Sequence, residues 1–140
     1  MRLAAGWILL LSAVFLAACA GNPPPAQMNA ALPENPLAAC PETPNCVRET
    51  HLYPDDAATL YARARTALEA AGAAEVEAFP EEYRLHAVFR VLFFKDDVDL
   101  LVTAQTAGSA LHIRSASRVG RSDLGVNRRR VRKILSDFGI

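Results

Sequence analysis

What this 140-residue chain lacks narrows it before anything present is read. It has no Gly-x-x-x-x-Gly-Lys run, so no phosphate-cradling nucleotide loop can be drawn. No Gly-x-Ser-x-Gly elbow lifts a serine out as an esterase nucleophile. Internal repeats are missing, which excludes a solenoid, and no second apolar span follows the first twenty residues. Only three cysteines occur, and Cys40 and Cys46 with His51 as the lone neighbouring ligand do not make a usual zinc pattern. There is no charge excess either: 15 Lys and Arg balance 15 Asp and Glu.

That balance hides an asymmetry. Residues 19–113 carry 6 basic and 13 acidic side chains, whereas 114–140 carry 8 basic and 2 acidic. Either the basic C-terminal segment lies against an acidic body, or it presents an exposed patch to an anion.

The first twenty residues are distinctive. Arg2 is followed by an almost wholly apolar stretch from Leu3 to Leu16, and then by Leu16-Ala17-Ala18-Cys19. Basic, apolar and small residues in that order lay out a secretory signal, and the cysteine directly after the small pair supplies the thiol for a diacylglyceryl group. The alternative is an uncleaved membrane anchor, but Gly21-Asn22-Pro23-Pro24-Pro25 breaks any helix at once. The expectation is therefore a lipoprotein with signal peptide 1–18, membrane-bound through lipid on Cys19 and facing the periplasm. Ala20 after the acylated position favours the outer membrane over the inner. Residues 19–37 read as a lipidated N-terminus and Pro-rich tether, and 38–140 as one domain with one core. In an oxidising compartment Cys40 and Cys46, separated by a turn-forming Pro-Glu-Thr-Pro-Asn, are expected to form a disulfide.

Hydrophobic periodicity orders the domain. Asp55-Asp56 caps a helix that stops at Gly72, with Leu60, Ala64, Ala67, Leu68 and Ala71 on one face. Ala74–Phe79 is a short edge strand. Tyr83–Phe94 is a longer one, with Tyr83, Leu85, Ala87, Phe89, Val91 and Phe93 on one side. A two-residue turn at Lys95-Asp96 pairs Val91 with Leu100 and Phe89 with Val102. A second turn at Ala107-Gly108 pairs Val102 with Ile113 and Ala104 with Leu111. His86, Asp97, Asp99, His112 and Arg114 fall on the polar face. A second helix, capped by Asp123, runs to about Asp137 and stops at Gly139, burying Val131, Ile134, Leu135 and Phe138. The fold expected is α+β: an antiparallel meander of three to four strands with an N-terminal and a C-terminal helix on one face.

Three stretches carry a family resemblance. They are Cys40-Pro41-Glu42-Thr43-Pro44-Asn45-Cys46-Val47, Asp96-Asp97-Val98, and the run from Arg114-Ser115-Ala116-Ser117-Arg118-Val119-Gly120 through Arg121-Ser122-Asp123-Leu124-Gly125-Val126-Asn127 to Arg128-Arg129-Arg130. Together they resemble domain of unknown function family 1499 over about residues 38–139. The resemblance implies domain boundaries and no activity, substrate or catalytic residue.

The strongest candidate site is the segment 114–128, which leaves a strand and enters a helix. Free N–H groups at a helix start and nearby guanidiniums are how an anion site is assembled, and the candidates are Arg114, Ser117, Arg118, Ser122, Asp123, Asn127 and Arg128. The structural reading is that Arg114 and Arg118 pair with Asp97, Asp99 or Asp123. Ser115 or Ser117, His86 or His112, and Asp97 or Asp99 supply the residue types of a triad, without a motif to place them. Arg128-Arg129-Arg130 with Arg132-Lys133 would in an exported protein meet anionic headgroups or surface polymers rather than nucleic acid. The sequence thus reads as a non-enzymatic envelope domain that binds a partner protein or anionic ligand, with no catalytic residue, metal or cofactor assigned. The alternative is an envelope hydrolase or transferase using the Arg/Ser/Asp/Asn loop.

Overall fold

The computed structural model describes residues 31–139; the expected signal segment, Cys19 and the tether up to residue 30 lie outside them. Five strands form one antiparallel sheet: β1 (Cys46–Tyr53), β2 (Glu75–Phe79), β3 (Arg84–Val91), β4 (Phe94–Gln105) and β5 (Gly108–Ser117). Helix α1 (Ala57–Ala71) lies between β1 and β2, and α2 (Val126–Ser136) follows β5. The domain is α+β, as its periodicity implies.

The spatial order is β1-β5-β4-β3-β2. β2 to β5 make the expected meander. β1 is a strand the sequence reading lacks, and it pairs along the free side of β5 from Cys46↔Ala116 to Tyr53↔Ser109. Its signal was weak because only Val47 and Tyr53 of the inward positions are buried apolar groups, while Glu49 and His51 share their face. The chain leaves β1 at one edge of the sheet and must reach β2 at the other. Helix α1 makes that crossing, and its apolar stripe of Leu60, Ala64, Ala67 and Leu68 is buried against the sheet. Both of its ends are closed as expected: the Asp56 carboxylate accepts from Thr59 N–H at 3.0 Å, and Gly72 turns left-handed at φ 96°.

Both hairpin registers differ from expectation. The β3–β4 turn is at Leu92-Phe93, so Leu85 opposes Leu100, Ala87 opposes Val98 and Phe89 opposes Asp96. The β4–β5 turn is at Thr106-Ala107, so Val102 opposes Leu111 and Leu100 opposes Ile113. Each partner moves by an even number of residues, so every side chain keeps its face. That is why the buried set, Leu85, Ala87, Phe89, Val98, Leu100, Val102, Leu111 and Ile113, matches the apolar stripe although the pairs do not. Lys95-Asp96 has good turn chemistry, but Asp96 is required inside, where it pairs with Arg130.

Gly108 opens β5 at φ 95°, and a Cβ there would run into the Tyr53 carbonyl oxygen of the paired strand. Gly72 also has positive φ but faces open space. Gly108→Ala should therefore cost about 3 kcal/mol, from backbone strain plus a backbone collision, and Gly72→Ala only about 1 kcal/mol. Urea denaturation of the two variants checks the order.

Candidate functional site

Alternation along β5 divides the candidate residues between two faces. Ser115 and Ser117 point toward α2, whereas His112 and Arg114 point away from it. The consequence for catalysis is geometric. His86, Asp97 and Asp99 share the face away from α2, so the sheet stands between both serines and the pair His86 and His112.

On the helix side the polar groups meet one another. Asn127, on the first turn of α2, is fully buried. Its Oδ1 accepts from Ser115 Oγ at 2.5 Å and from Arg130 Nη1 at 2.7 Å. Its Nδ2 donates to the Asn45 carbonyl at 3.1 Å, to Ser117 Oγ at 2.9 Å and to the Asp123 carboxylate at 2.8 Å. Asn45 in turn donates to the Gly120 carbonyl at 2.8 Å and accepts Ser117 N–H on its own carbonyl. Beneath this, Arg130 and Asp96 form an ion pair at 2.7 Å with side chains only 7% and 4% exposed, and the guanidinium lies 4.7 Å from the centre of the Phe89 ring. Opposite charges removed from water must find each other, so Asp96 occupies an inward strand position instead of a turn.

Asp123 does not cap α2 in the way its sequence position implies. The helix begins at Val126 behind a left-handed Gly125. From outside that start, Asp123 receives the N–H groups of Gly125 at 3.0 Å and Asn127 at 2.6 Å. Burial acts to raise its pKa, but the hydrogen bonds from Asn127 and Gly125 outweigh it and hold the carboxyl below its ordinary value. A carboxylate of the chain itself therefore takes up the positive end of α2.

The opposite face carries a second set of pairs. Arg118 grips Asp97 with two nitrogens, at 2.7 and 3.0 Å. His86 lies 2.8 Å from Asp99 and 3.5 Å from Asp97, and Arg114 reaches Asp99 at 3.8 Å while its buried Nε makes no hydrogen bond. The basic C-terminal segment is thus joined to the acidic body at Arg114, Arg118 and Arg130. Lys133 donates to the Ala71 carbonyl on α1 at 3.1 Å, in place of the i,i+4 pair with Asp137 that its spacing allows. Of the anion candidates, Ser117, Asp123 and Asn127 lie in the buried cluster, Arg114 and Arg118 on the other face, and Ser122 and Arg128 at the exposed rim.

His112 is buried, not solvated, because β1 brings Thr50 and Arg48 over it. Its ring nitrogens lie 3.0 Å from the Thr50 hydroxyl and 2.9 Å from that of Thr103. Desolvation, and after it the nearby Arg48 charge, lower its pKa. Cys40 and Cys46 form the expected disulfide, closing a loop beside Asn45. Among the described residues no group of three or more His, Cys, Asp or Glu side chains is placed to hold a metal ion.

The stretches that form the buried cluster, 40–47, 96–98 and 114–130, are those that carry the family resemblance. A scan against family models matches residues 36–138 to the family described as protein of unknown function (DUF1499). The chain belongs to that family. No curated protein matches it. The family match begins just before the disulfide and ends two residues beyond α2, so the DUF1499 region coincides with the folded unit. Within it the motif residues are explained by structure: Asn45, Asp96, Ser115, Asn127 and Arg130 build one cluster from three distant segments.

Two expected outcomes follow from these contacts. Arg130→Met should destabilise the fold by about 3–5 kcal/mol, because it leaves Asp96 charged and buried, and Arg130→Met with Asp96→Leu should recover most of that loss in urea denaturation. His112 has a folded pKa below its unfolded value, so the unfolded chain takes up protons first. Its penalty is absent well above about pH 6.5 and grows as pH falls below that value. His112→Gln should lose less stability than the wild-type chain between pH 7.5 and 5.5.

Proposed function

We propose that this DUF1499 chain is a lipid-anchored cell-envelope protein whose folded domain is a non-enzymatic binding module. The observation that carries this reading is the closure of the candidate site. The hydroxyls, amide and carboxylates that could perform acid–base or nucleophilic chemistry around α2 are bonded to one another, and Ser115 and Ser117 lie on the opposite side of the sheet from His86 and His112. Polar clusters of this kind fix one packing of a helix on a sheet and leave recognition to the surface around them. For an anionic ligand the surface groups are Arg128 with Arg121 at the rim of the loop 114–128, outside the cluster.

Envelope location rests on the sequence: the apolar run, Leu16-Ala17-Ala18-Cys19, and the Pro-rich stretch behind it. The Cys40–Cys46 disulfide supports an oxidising compartment. The partner in this reading is the membrane through lipid on Cys19, together with an envelope protein or anionic ligand at the domain surface, and the outer membrane is favoured.

Cys19→Ala should move the protein out of the membrane fraction and abolish the mass of attached acyl chains in intact-protein mass spectrometry. An unmodified Cys19 in the wild-type chain would overturn the anchor. Inorganic phosphate at low ionic strength should raise the melting temperature of the wild-type chain and not that of Arg121→Ala with Arg128→Ala. Equal shifts in both would remove the rim as the anion contact.

A further inference from the structure

Two leucines share an anomaly that the buried cluster does not explain. Leu92 and Leu124 both have positive φ, 55° and 53°, a region that disfavours branched L side chains. Both are also almost wholly exposed, at 88% and 86%. Turn positions of this kind are filled most easily by Gly, Asn or Asp, and the chain places leucine in both. Phe93, beside Leu92 at the apex of the β3–β4 hairpin, is 97% exposed, and Phe94 is exposed as well. The apex and the loop before α2 form one surface, since Val91, Phe94, Leu124, Val126 and Arg129 line a single open depression of about 270 Å³.

The apex projects. Beyond Asp96↔Ser117 and the Arg118 N–H bond to the Lys95 carbonyl, the hairpin has no strand partner on the β5 side. On the other side its pairing with β2 ends at Val88. Segments 91–97 and 118–130 together contain six basic and three acidic side chains. All three acids are engaged, Asp96 by Arg130, Asp97 by Arg118 and Asp123 by the N–H groups at the start of α2. Among the described residues Lys95, Arg121, Arg128 and Arg129 form no ion pair. The end of the domain is thus an apolar point within a positively charged surround.

We propose that Leu92-Phe93-Phe94, with Leu124, inserts into the interfacial layer of a bilayer bearing anionic headgroups, while Lys95, Arg121 and Arg129 lie against the phosphates. Apolar side chains below the headgroups and cations at their level are the two contributions that hold a peripheral element on a membrane. A narrow convex apex fits a deformable bilayer, whereas a protein partner would need a matching groove. The proposal rests on the envelope reading only for which bilayer is met. Residues 19–30 span at most roughly 40 Å when extended, about the length of β4, so an anchor at Cys19 leaves the apex within reach of the same membrane.

Trp7 is the sole tryptophan of the chain, so Trp7→Phe with Phe93→Trp leaves a single reporter at the apex. The protein as extracted from cell membranes is reconstituted in vesicles of brominated phosphatidylcholine with or without phosphatidylglycerol. With phosphatidylglycerol the emission should shift to the blue, be quenched by the brominated acyl chains and recover in high salt. Adding Lys95→Gln and Arg121→Gln should lower the insertion constant by roughly thirtyfold. Emission typical of water, open to iodide in both vesicle types, would overturn the proposal. So would protection seen only when native envelope proteins are present, which would assign the apex to a protein. Mass analysis of Cys19 in the same sample separates the two readings. An acylated Cys19 with a water-exposed apex sinks the insertion alone, and an unmodified Cys19 with a lipid-quenched apex sinks the anchor alone.

Discussion

A guanidinium taken out of water needs a carboxylate beside it, and in this fold that demand falls on Arg130 and Asp96. The pair fixes more than its own geometry. Asp96 can face α2 only if the β3–β4 turn falls three residues earlier than its turn-forming neighbours favour, which sets the register of the hairpin. Arg130 can reach it only if α2 lies with Asn127 against Ser115. Asn127 then gathers Asn45, Ser117 and Asp123, and through Asn45 the cluster holds the start of β1. Strand register, helix placement and the closing of the sheet edge all trace to one buried charge pair and the amide next to it.

The same cluster draws the polar side chains between α2 and the sheet inward and leaves only a few at the rim. At the start of α2 the positive end of the helix meets Asp123, so the chain neutralises internally the feature that a loop-to-helix junction ordinarily offers to an anion. What stays available is peripheral: the guanidiniums of Arg121, Arg128 and Arg129 and the apolar residues of the adjoining turns. The domain therefore resembles a rigid mount with a chemically simple rim.

Much of this was legible in the sequence, for reasons that differ from part to part. Helix α1 was readable because Asp56, the apolar spacing and Gly72 all act locally. The buried faces of β3, β4 and β5 were readable because alternation survives a register shift of even size. β1 was not, since its inward row mixes Val47 and Tyr53 with Glu49 and His51, and its partner lies some sixty residues on. Lys95-Asp96 misled because turn propensity is local and the demand of Arg130 is not. For the site, the pairing of Arg114 and Arg118 with Asp99 and Asp97 follows from the charge asymmetry of the sequence. Arg130 was unreadable in a run of three arginines, of which helical phase buries only this one, and Asn45 gave no signal beyond its place between two cysteines.

β1 is the first strand of the domain, and it can pair only with β5, the last. Its inner end is tied to α2 through Asn45 and Asn127, 82 positions apart. A chain emerging from its N-terminus can thus complete α1 early but cannot shut its sheet until the final strand is made. Such non-local closure slows folding. Under the envelope location proposed above, a topology that withholds its last seam until the end keeps the thread loose for passage through a membrane channel.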